Sequence, residues 1–228
     1  MPILRDWELK LDVDQVIRGQ GADPEVIRSR SPQIVDLAQN ALQEGRSYLR
    51  PVVLWEAFLV DSLRHERLIL QGDRCLQGPL IAQHMASVSR VVVMLCSIGH
   101  LLEEHASHVM TDDLAYGLAL DGVGSAATEA LANEACHLIE EQAQGEGLNT
   151  TTPLSPGMAG WTVKHGQEQI FALLDGETIG VKLNSSGVMT PRKSLSMALG
   201  LGHDVGHTGS PCDYCSMREN CRYQDHYA

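Results

Sequence analysis

The sequence has few aromatic and few basic residues, and both shortages restrict its possible functions. Aromatic residues make up 4% of the 228 residues, so Leu, Val, Ile, Met and Ala must fill the core. Lys and Arg number 17 against 29 Asp and Glu, which gives a net charge of −12. Because proteins bind nucleic-acid phosphates through clustered Lys and Arg, this balance argues against a nucleic-acid interface. It permits a protein partner with a basic face.

The chain also lacks a long hydrophobic run. Its most apolar segment, VVVMLC at residues 91–96, is far shorter than the ~20 residues that a membrane-spanning helix requires. The first residues, MPILRDWELK, lack the apolar core of a signal peptide. We therefore expect a cytosolic protein that does not enter the membrane. In a cytosolic chain, the six cysteines indicate metal or redox chemistry before structural disulfides.

Three of these cysteines are concentrated at the C-terminus. Cys212, Cys215 and Cys221 form a C-x2-C-x5-C pattern that follows a Gly/Ser/Pro stretch typical of a loop. The x2 spacing allows one turn to bring two sulfur atoms to one centre. Thiolates are soft ligands that select iron–sulfur clusters, zinc or copper(I). Residues 208–228 are therefore predicted to be a metal-binding tail.

The spacing alone does not choose between a cluster and zinc. Zinc requires four ligands, and His203, His207 or His226 could supply the fourth. A [4Fe–4S] cluster also takes four protein ligands unless one iron stays open or takes a different ligand. A local disulfide between the first two cysteines is a further possibility, but it leaves the third cysteine unexplained.

Hydrophobic periodicity predicts an alternation of helices and strands. Helices are expected at residues 32–48, 78–88, 100–108, 112–143 and 161–175. Strands are expected at residues 52–60, 67–70, 91–96, 178–183 and 195–202, with a short strand running into a helix at residues 8–17. Residues 91–96 are β-branched and apolar enough to be buried on both faces. Within the long helix, the glycines predict close approach by another element.

The segment at residues 145–160, GEGLNTTTPLSPGMAG, is long and irregular. Loops of this length within a compact domain are often functional. A cleft around residues 150–161 is a candidate binding site for a small molecule such as a folate or a nucleotide. Arg192 and Lys193 are candidates for binding an anionic group of that molecule. The alternative is that both residues are solvated surface charges without a ligand.

The order of several short motifs resembles the activation (reactivation) domain of cobalamin-dependent methionine synthase, particularly its small stand-alone relatives. The motifs are SPGM at 155–158, a helix ending near LLD at 173–175, IGVKL at 179–183 and PRKS at 191–194. The N-terminal half also resembles those relatives. The resemblance implies an α+β fold, with a curved antiparallel sheet and flanking helices, over residues 1–207. The cysteine-rich tail at 208–228 would be an addition to it.

The same resemblance implies a function. Corrinoid methyltransferases use cob(I)alamin, which occasionally oxidises to inactive cob(II)alamin, and the activation domain caps the corrinoid while reductive methylation with S-adenosylmethionine restores it. The expected partner is a corrinoid protein or a cobalamin-dependent methyltransferase, with the cobalamin on that partner. Some stand-alone relatives carry a similar cysteine-rich C-terminus, which favours a [4Fe–4S] cluster over zinc.

By the same resemblance, Ser155, Pro156, Gly157 and Met158 are expected in the S-adenosylmethionine cleft. The chain departs from the family there. Pro153 and Met158 stand where the methionine synthase form has an arginine and a tyrosine. An arginine grips a carboxylate with two hydrogen bonds and a proline cannot, so the departure argues against S-adenosylmethionine binding.

The resulting hypothesis is an iron–sulfur protein that supports reduction of cob(II) to cob(I) on a partner. The sequence contains no G-x-x-x-x-G-K-[ST] phosphate-binding loop, so the driving force must come from another source. The alternative is a non-enzymatic accessory protein in which a structural zinc staples the tail to the core.

Overall fold

A seven-stranded antiparallel sheet forms the centre of the computed structural model, which describes residues 1–206, 209–215 and 219. The sheet is curled into a half-barrel and has the strand order β4-β3-β2-β5-β9-β6, with β1 beside β2, while β7 and β8 pair separately. The strands are β1 (Ile3–Leu4), β2 (Val52–Arg64), β3 (Arg67–Leu70), β4 (Arg74–Gln77), β5 (Arg90–Ser97), β6 (Asn149–Thr150), β7 (Lys182–Leu183), β8 (Met189–Thr190) and β9 (Ser194–Gly202).

Seven α-helices and three short 3₁₀ turns surround the sheet within the described residues. The helices are α1 (Val13–Gly19), α2 (Pro24–Arg30), α3 (Pro32–Gly45), α4 (Pro79–His84), α5 (Leu101–Val109), α6 (Leu114–Gly145) and α7 (Val163–Leu173). The 3₁₀ turns are Arg46–Tyr48, Gly176–Ile179 and Pro211–Tyr214. None of the helices in this part of the chain is long and apolar enough to cross a membrane.

The central strand β5 separates two hydrophobic cores, because successive side chains of a strand point to opposite faces. Val92, Met94 and Cys96 face the first core, which packs against α1, α3, α5 and α6. Val91, Val93 and Leu95 face the second core. We call these the helical face and the loop face. The prediction that residues 91–96 form a strand buried on both faces is confirmed.

The helical face depends on close contact between α1 and α6. A Cβ added to Gly122 would lie 2.8 Å from the Val16 carbonyl oxygen, and one added to Gly19 would lie 2.4 Å from the Gly122 carbonyl oxygen. Both distances are shorter than side-chain atoms tolerate, so only glycine permits this approach. The predicted close approach at the glycines of the long helix is therefore confirmed.

The loop face is covered by smaller elements. Helices α4 and α7 and the segment between β6 and α7 pack against the second core, with Leu154 and Trp161 fully enclosed. Leu154 is joined to the sheet by a bridge to Ala198 of β9. The irregular segment at residues 145–160 is thus attached to the sheet by its main chain.

Two predictions of local structure are wrong. Residues 8–12 form no strand, and Asp12 is the N-cap of α1. The Asp12 carboxylate accepts the Gln15 backbone N–H at 2.8 Å, and the Gln15 side-chain oxygen accepts the Asp12 backbone N–H. This reciprocal pair fixes the start of the helix. The strand expected at 178–183 is reduced to β7, because Gly176–Ile179 closes as a 3₁₀ turn.

Candidate metal-binding turn and its docking site

The loop at residues 155–161 is closed by its own hydrogen bonds. Ser155 donates its backbone N–H to the Met158 Sδ at 3.3 Å, and Met158 donates its backbone N–H to the Ser155 carbonyl at 3.2 Å. The Gly157 N–H reaches the Trp161 carbonyl at 2.7 Å, where Gly157 adopts a φ of +108° that favours glycine. The predicted cleft residues Ser155, Pro156, Gly157 and Met158 therefore form one ordered loop.

Trp161 fixes this loop to the loop-face core. Its side chain is 1% exposed, and its indole Nε1–H donates to the Gln169 Oε1 at 3.3 Å. The Gln169 amide also bonds both backbone groups of Gln77 in β4, at 2.8 and 3.2 Å. Gly166 lies so close to the indole that an added Cβ would be 3.0 Å from its Cε2. The loop thus rests on a rigid support made by α7 and β4.

Cys212 and Cys215 lie on one short turn, Pro211–Tyr214, with Cys215 as its C-cap. The Asp213 carboxylate accepts the Ser210 backbone N–H at 2.7 Å, and the Asp213 N–H donates to the Ser210 carbonyl at 3.0 Å. The turn closes with a bond from the Cys215 N–H to the Cys212 carbonyl at 3.2 Å. Both cysteines are partly exposed. The two cysteines thus lie on one turn, as the x2 spacing allows, and their role as metal ligands stays a prediction.

This cysteine turn, residues 209–215, docks on the loop at residues 152–159. Cys215 forms an antiparallel bridge with Met158, and the Ala159 N–H donates to the Tyr214 carbonyl at 2.8 Å. The Thr152 hydroxyl donates to the Gly209 carbonyl at 3.2 Å. The Tyr214 ring packs edge-on against His84 of α4, with 4.4 Å between ring centroids. Two sites that the sequence treats separately, the loop and the cysteines, are therefore adjacent.

The complete three-cysteine site remains a prediction. Cys221, His207 and His226 lie outside the described residues. Among residues 1–206, 209–215 and 219, no group of three His, Cys, Asp or Glu side chains is arranged to hold a metal ion. His203 is exposed, and its Nδ1 lies 3.1 Å from the Gly147 carbonyl oxygen.

Arg192 and Lys193 face carboxylates on the helical face. Glu103 of α5 accepts both the backbone N–H and the guanidinium Nε–H of Arg192, and this hydrogen bonding raises the pKa of Arg192. Lys193 donates from Nζ to the Asp121 carboxylate at 2.9 Å and to the Ser125 hydroxyl at 2.8 Å. Their described contacts are with α5 and α6, not with the loop at residues 155–158. Anion binding by this pair stays a prediction.

A polar cluster on the helical face could not be predicted from the sequence, because its residues come from separate helices. The Glu44 carboxylate lies 2.6 Å from the His105 Nε2 and accepts the Tyr116 hydroxyl at 2.6 Å, and Tyr48 stacks on His105. The hydrogen bonds from Tyr116 and His105 lower the pKa of Glu44. Burial and the bond to Glu44 raise the pKa of Tyr116 to about 12. These contacts join α3, α5 and α6.

Two other cysteines belong to the helical-face core. Cys96 and Cys136 are buried, and this burial raises the pKa of both thiols, for Cys136 to about 12. Cys136 donates to the Met197 Sδ at 3.4 Å. Such thiols stay protonated near neutral pH, so they serve as small apolar groups and not as thiolate ligands.

No family model and no curated protein matches this sequence. Among solved structures, the chain is similar to the crystal structure of the MetH reactivation domain bound to AdoHcy, with a TM-score of 0.64 and 12% sequence identity. The match covers 90% of this chain and 79% of that one. The chain has the fold of the MetH reactivation domain. The predicted α+β fold, with its curved antiparallel sheet and flanking helices, is confirmed. At this identity the likeness is one of fold.

Proposed function

We propose that this protein docks on a corrinoid protein or a cobalamin-dependent methyltransferase and supports its reductive activation from cob(II) to cob(I). The observation that carries the proposal is the likeness to the MetH reactivation domain over 90% of the chain. The net charge of −12 suits a partner with a basic face. S-adenosylmethionine is not part of the proposal, because Pro153 and Met158 replace the arginine and tyrosine expected of a binding cleft.

The redox part of the proposal rests on Cys212, Cys215 and Cys221, which would hold an iron–sulfur cluster. The donor set fits such a group, because two soft ligands stand at the ends of one turn with their side chains partly exposed. A bound cluster supplies one electron at a time, which is the number that cob(II) takes up to become cob(I). A low-potential one-electron donor must then restore the cluster.

The chain's own residues orient this site. The Ser210–Asp213 hydrogen bonds order the turn, and the bonds from Thr152 and Ala159 hold it against the core. Cys212 and Cys215 are therefore held beside the loop at residues 155–158. The protein would contribute docking, orientation and the tuning of potential, while the electron chemistry belongs to the cofactor.

The test is anaerobic purification followed by iron, sulfide and zinc analysis and an EPR spectrum of the dithionite-reduced protein. We expect about four irons and four sulfides per chain, as in a [4Fe–4S] centre. Cys215→Ser should abolish the reduced-cluster signal. Cys75→Ser is the matched control, because Cys75 is also partly exposed but lies on β4, and it should leave the signal unchanged.

The second step mixes the reduced protein with a cob(II)-loaded corrinoid protein and follows cob(I) by visible absorption. Formation of cob(I) that depends on Cys215 supports the proposal. An iron-loaded protein that neither binds nor reduces any corrinoid protein contradicts it.

The second candidate function is a non-enzymatic accessory module with a structural zinc. It is favoured by the contacts of the cysteine turn, since Gly209, Tyr214 and Cys215 already fasten the turn to the core and a metal would strengthen that attachment. One zinc per chain without sulfide would support this function and exclude the redox role.

A further inference from the structure

An antiparallel bridge places Met158, a residue with a thioether side chain, directly opposite Cys215 of the cysteine turn. Residues directly opposite each other in an antiparallel pair project to the same face, with Cβ atoms about 4.5–5.5 Å apart. The bond from the Ala159 N–H to the Tyr214 carbonyl, at 2.8 Å, fixes this register. The side chains of Met158 and Cys215 therefore start from neighbouring Cβ atoms on the same face of the bridge.

The orientation of the Met158 thioether is set by its own loop. The Sδ accepts the Ser155 N–H at 3.3 Å, so the side chain folds back over the loop instead of extending into solvent. A thioether sulfur has a second lone pair, which this hydrogen bond leaves available. Met158 is partly buried against the loop-face core, and Cys212 and Cys215 are partly exposed, so all three residues belong to the contact between the turn and the core.

Harder ligands do not assemble at this place in the described part of the chain. No His, Asp or Glu joins the two cysteines in a group of three there. The Asp213 carboxylate accepts from the backbone N–H and the hydroxyl of Ser210. Thioethers and thiolates together select soft centres, which include copper(I), zinc and the irons of a cluster.

We propose that Met158 is a ligand from the core to the centre held by Cys212 and Cys215. In the iron–sulfur form of the proposed function, on which this inference rests, Met158 would supply one ligand to the cluster from the core. The core loop would then bind the metal directly, and metal loading would stabilise the docked position of the turn.

The experiment compares wild type, Met158→Leu and Met189→Leu after anaerobic reconstitution. Leucine nearly keeps the volume of methionine, so both substitutions should be tolerated in packing. Met189 is the matched control, because it lies in the same loop-face core but has no bridge to a cysteine. The readouts are the rate at which a chelator strips iron and the midpoint potential of the cluster.

We expect Met158→Leu to lose iron at least about tenfold faster than wild type, in the range seen when metal-site interactions are removed, and to show a shifted potential. Met189→Leu should match wild type. If Met158→Leu and wild type strip within twofold of each other at the same potential, the inference is wrong while the cluster, and with it the proposed function, stands.

If wild type binds no iron, the redox function fails, and the ligand role of Met158 is decided with copper(I) alone. A competition against a copper(I)-selective chelator then compares the same three proteins. A tenfold or greater loss of copper(I) affinity in Met158→Leu, with Met189→Leu unchanged, supports Met158 as a ligand. Equal affinities in all three proteins overturn it.

Discussion

The two faces of the sheet are built differently. On the helical face, long helices touch at glycine contacts such as Gly19 with Gly122, and the two buried thiols are enclosed in the core. On the loop face, the loop at residues 152–159 and the cysteine turn are held by main-chain hydrogen bonds and by one aromatic anchor, Trp161. Cys212 and Cys215 of that turn are partly exposed. The difference is that the helical face encloses its thiols in a tightly packed core, whereas the loop face leaves the sulfur side chains of its outer turn accessible.

The largest expected contrast is in thiol reactivity. At pH 8, a thiol with the pKa of Cys136, about 12, is ionised to about one part in ten thousand, roughly a thousandfold less than an ordinary thiol. Iodoacetamide followed by peptide mapping should therefore modify Cys212 and Cys215 long before Cys96 and Cys136. Metal loading should protect Cys212 and Cys215 but leave Cys75 reactive. Equal labelling of buried and exposed cysteines in the native protein would contradict the predicted difference in thiol reactivity between the two faces.

On the loop face, we expect the largest loss of stability when Trp161 is replaced. Trp161→Ala removes a fully buried indole and its bond to Gln169, and we expect a loss of about 3–5 kcal/mol in the free energy of unfolding, measured in urea. Trp7→Ala is the control, because Trp7 is only partly buried at the edge of the helical-face core and should cost less. A larger loss of stability in Trp7→Ala than in Trp161→Ala would contradict the role of Trp161 as the main aromatic anchor.

The helical face should be most sensitive where α1 meets α6. Gly122→Ala places a methyl group 2.8 Å from the Val16 carbonyl, and the resulting shift should cost about 1–3 kcal/mol despite the better helix propensity of alanine. Gly145→Ala, with no atom within 4 Å of the added methyl, should be neutral or stabilising. Thermal unfolding of the two variants measures the difference, and equal shifts in Tm would contradict the close-contact explanation.

Lys193 and Arg192 should differ although both pair with a carboxylate. The Lys193 side chain is 15% exposed and packs over Gly124, so Lys193→Ala should cost about 2 kcal/mol of stability. The Arg192 side chain is 66% exposed, so Arg192→Ala should cost less than about 1 kcal/mol. The same variants test the predicted anion role, which fails if anion affinity is unchanged in both.

The smallest effect concerns acid stability on the helical face. Because the folded-state pKa of Glu44 is lowered, its contribution is fully present above the ordinary carboxyl pKa and is lost as pH falls through the folded value. Glu44→Gln should therefore flatten the decline in unfolding free energy between about pH 5 and pH 3. Glu25→Gln, at an exposed position of α2, serves as the control. An unchanged slope in Glu44→Gln would assign the acid sensitivity to other groups.

Most helices and strands could be predicted from hydrophobic periodicity, because α3, α6, β5 and β9 carry long regular patterns. The failures are local. Residues 8–12 form no strand, and Asp12 caps α1 because Gln15 completes a reciprocal pair with it, which periodicity does not reveal. Similarly, the 3₁₀ turn at Gly176–Ile179 replaces part of a predicted strand through hydrogen bonds that depend on Asp175.

The candidate site was only partly predictable. The turn of Cys212 and Cys215 follows from spacing, and the resemblance at residues 155–158 suggested a loop of interest. Their adjacency did not follow, because Met158 and Cys215 are far apart in sequence and meet through a single bridge. The carboxylate partners of Arg192 and Lys193, on α5 and α6, could not be predicted from the sequence either.

Most helices, the longer strands, the burial of β5 on both faces and, through motif order, the fold could be predicted from the sequence. These properties depend on local spacing and on the alternation of apolar side chains, which a sequence records directly. The tertiary structure alone decided which distant groups meet: Gly122 with Val16, Glu44 with His105 and Tyr116, and Met158 with Cys215. Such contacts depend on how the two faces pack around one sheet, and no local pattern encodes that packing.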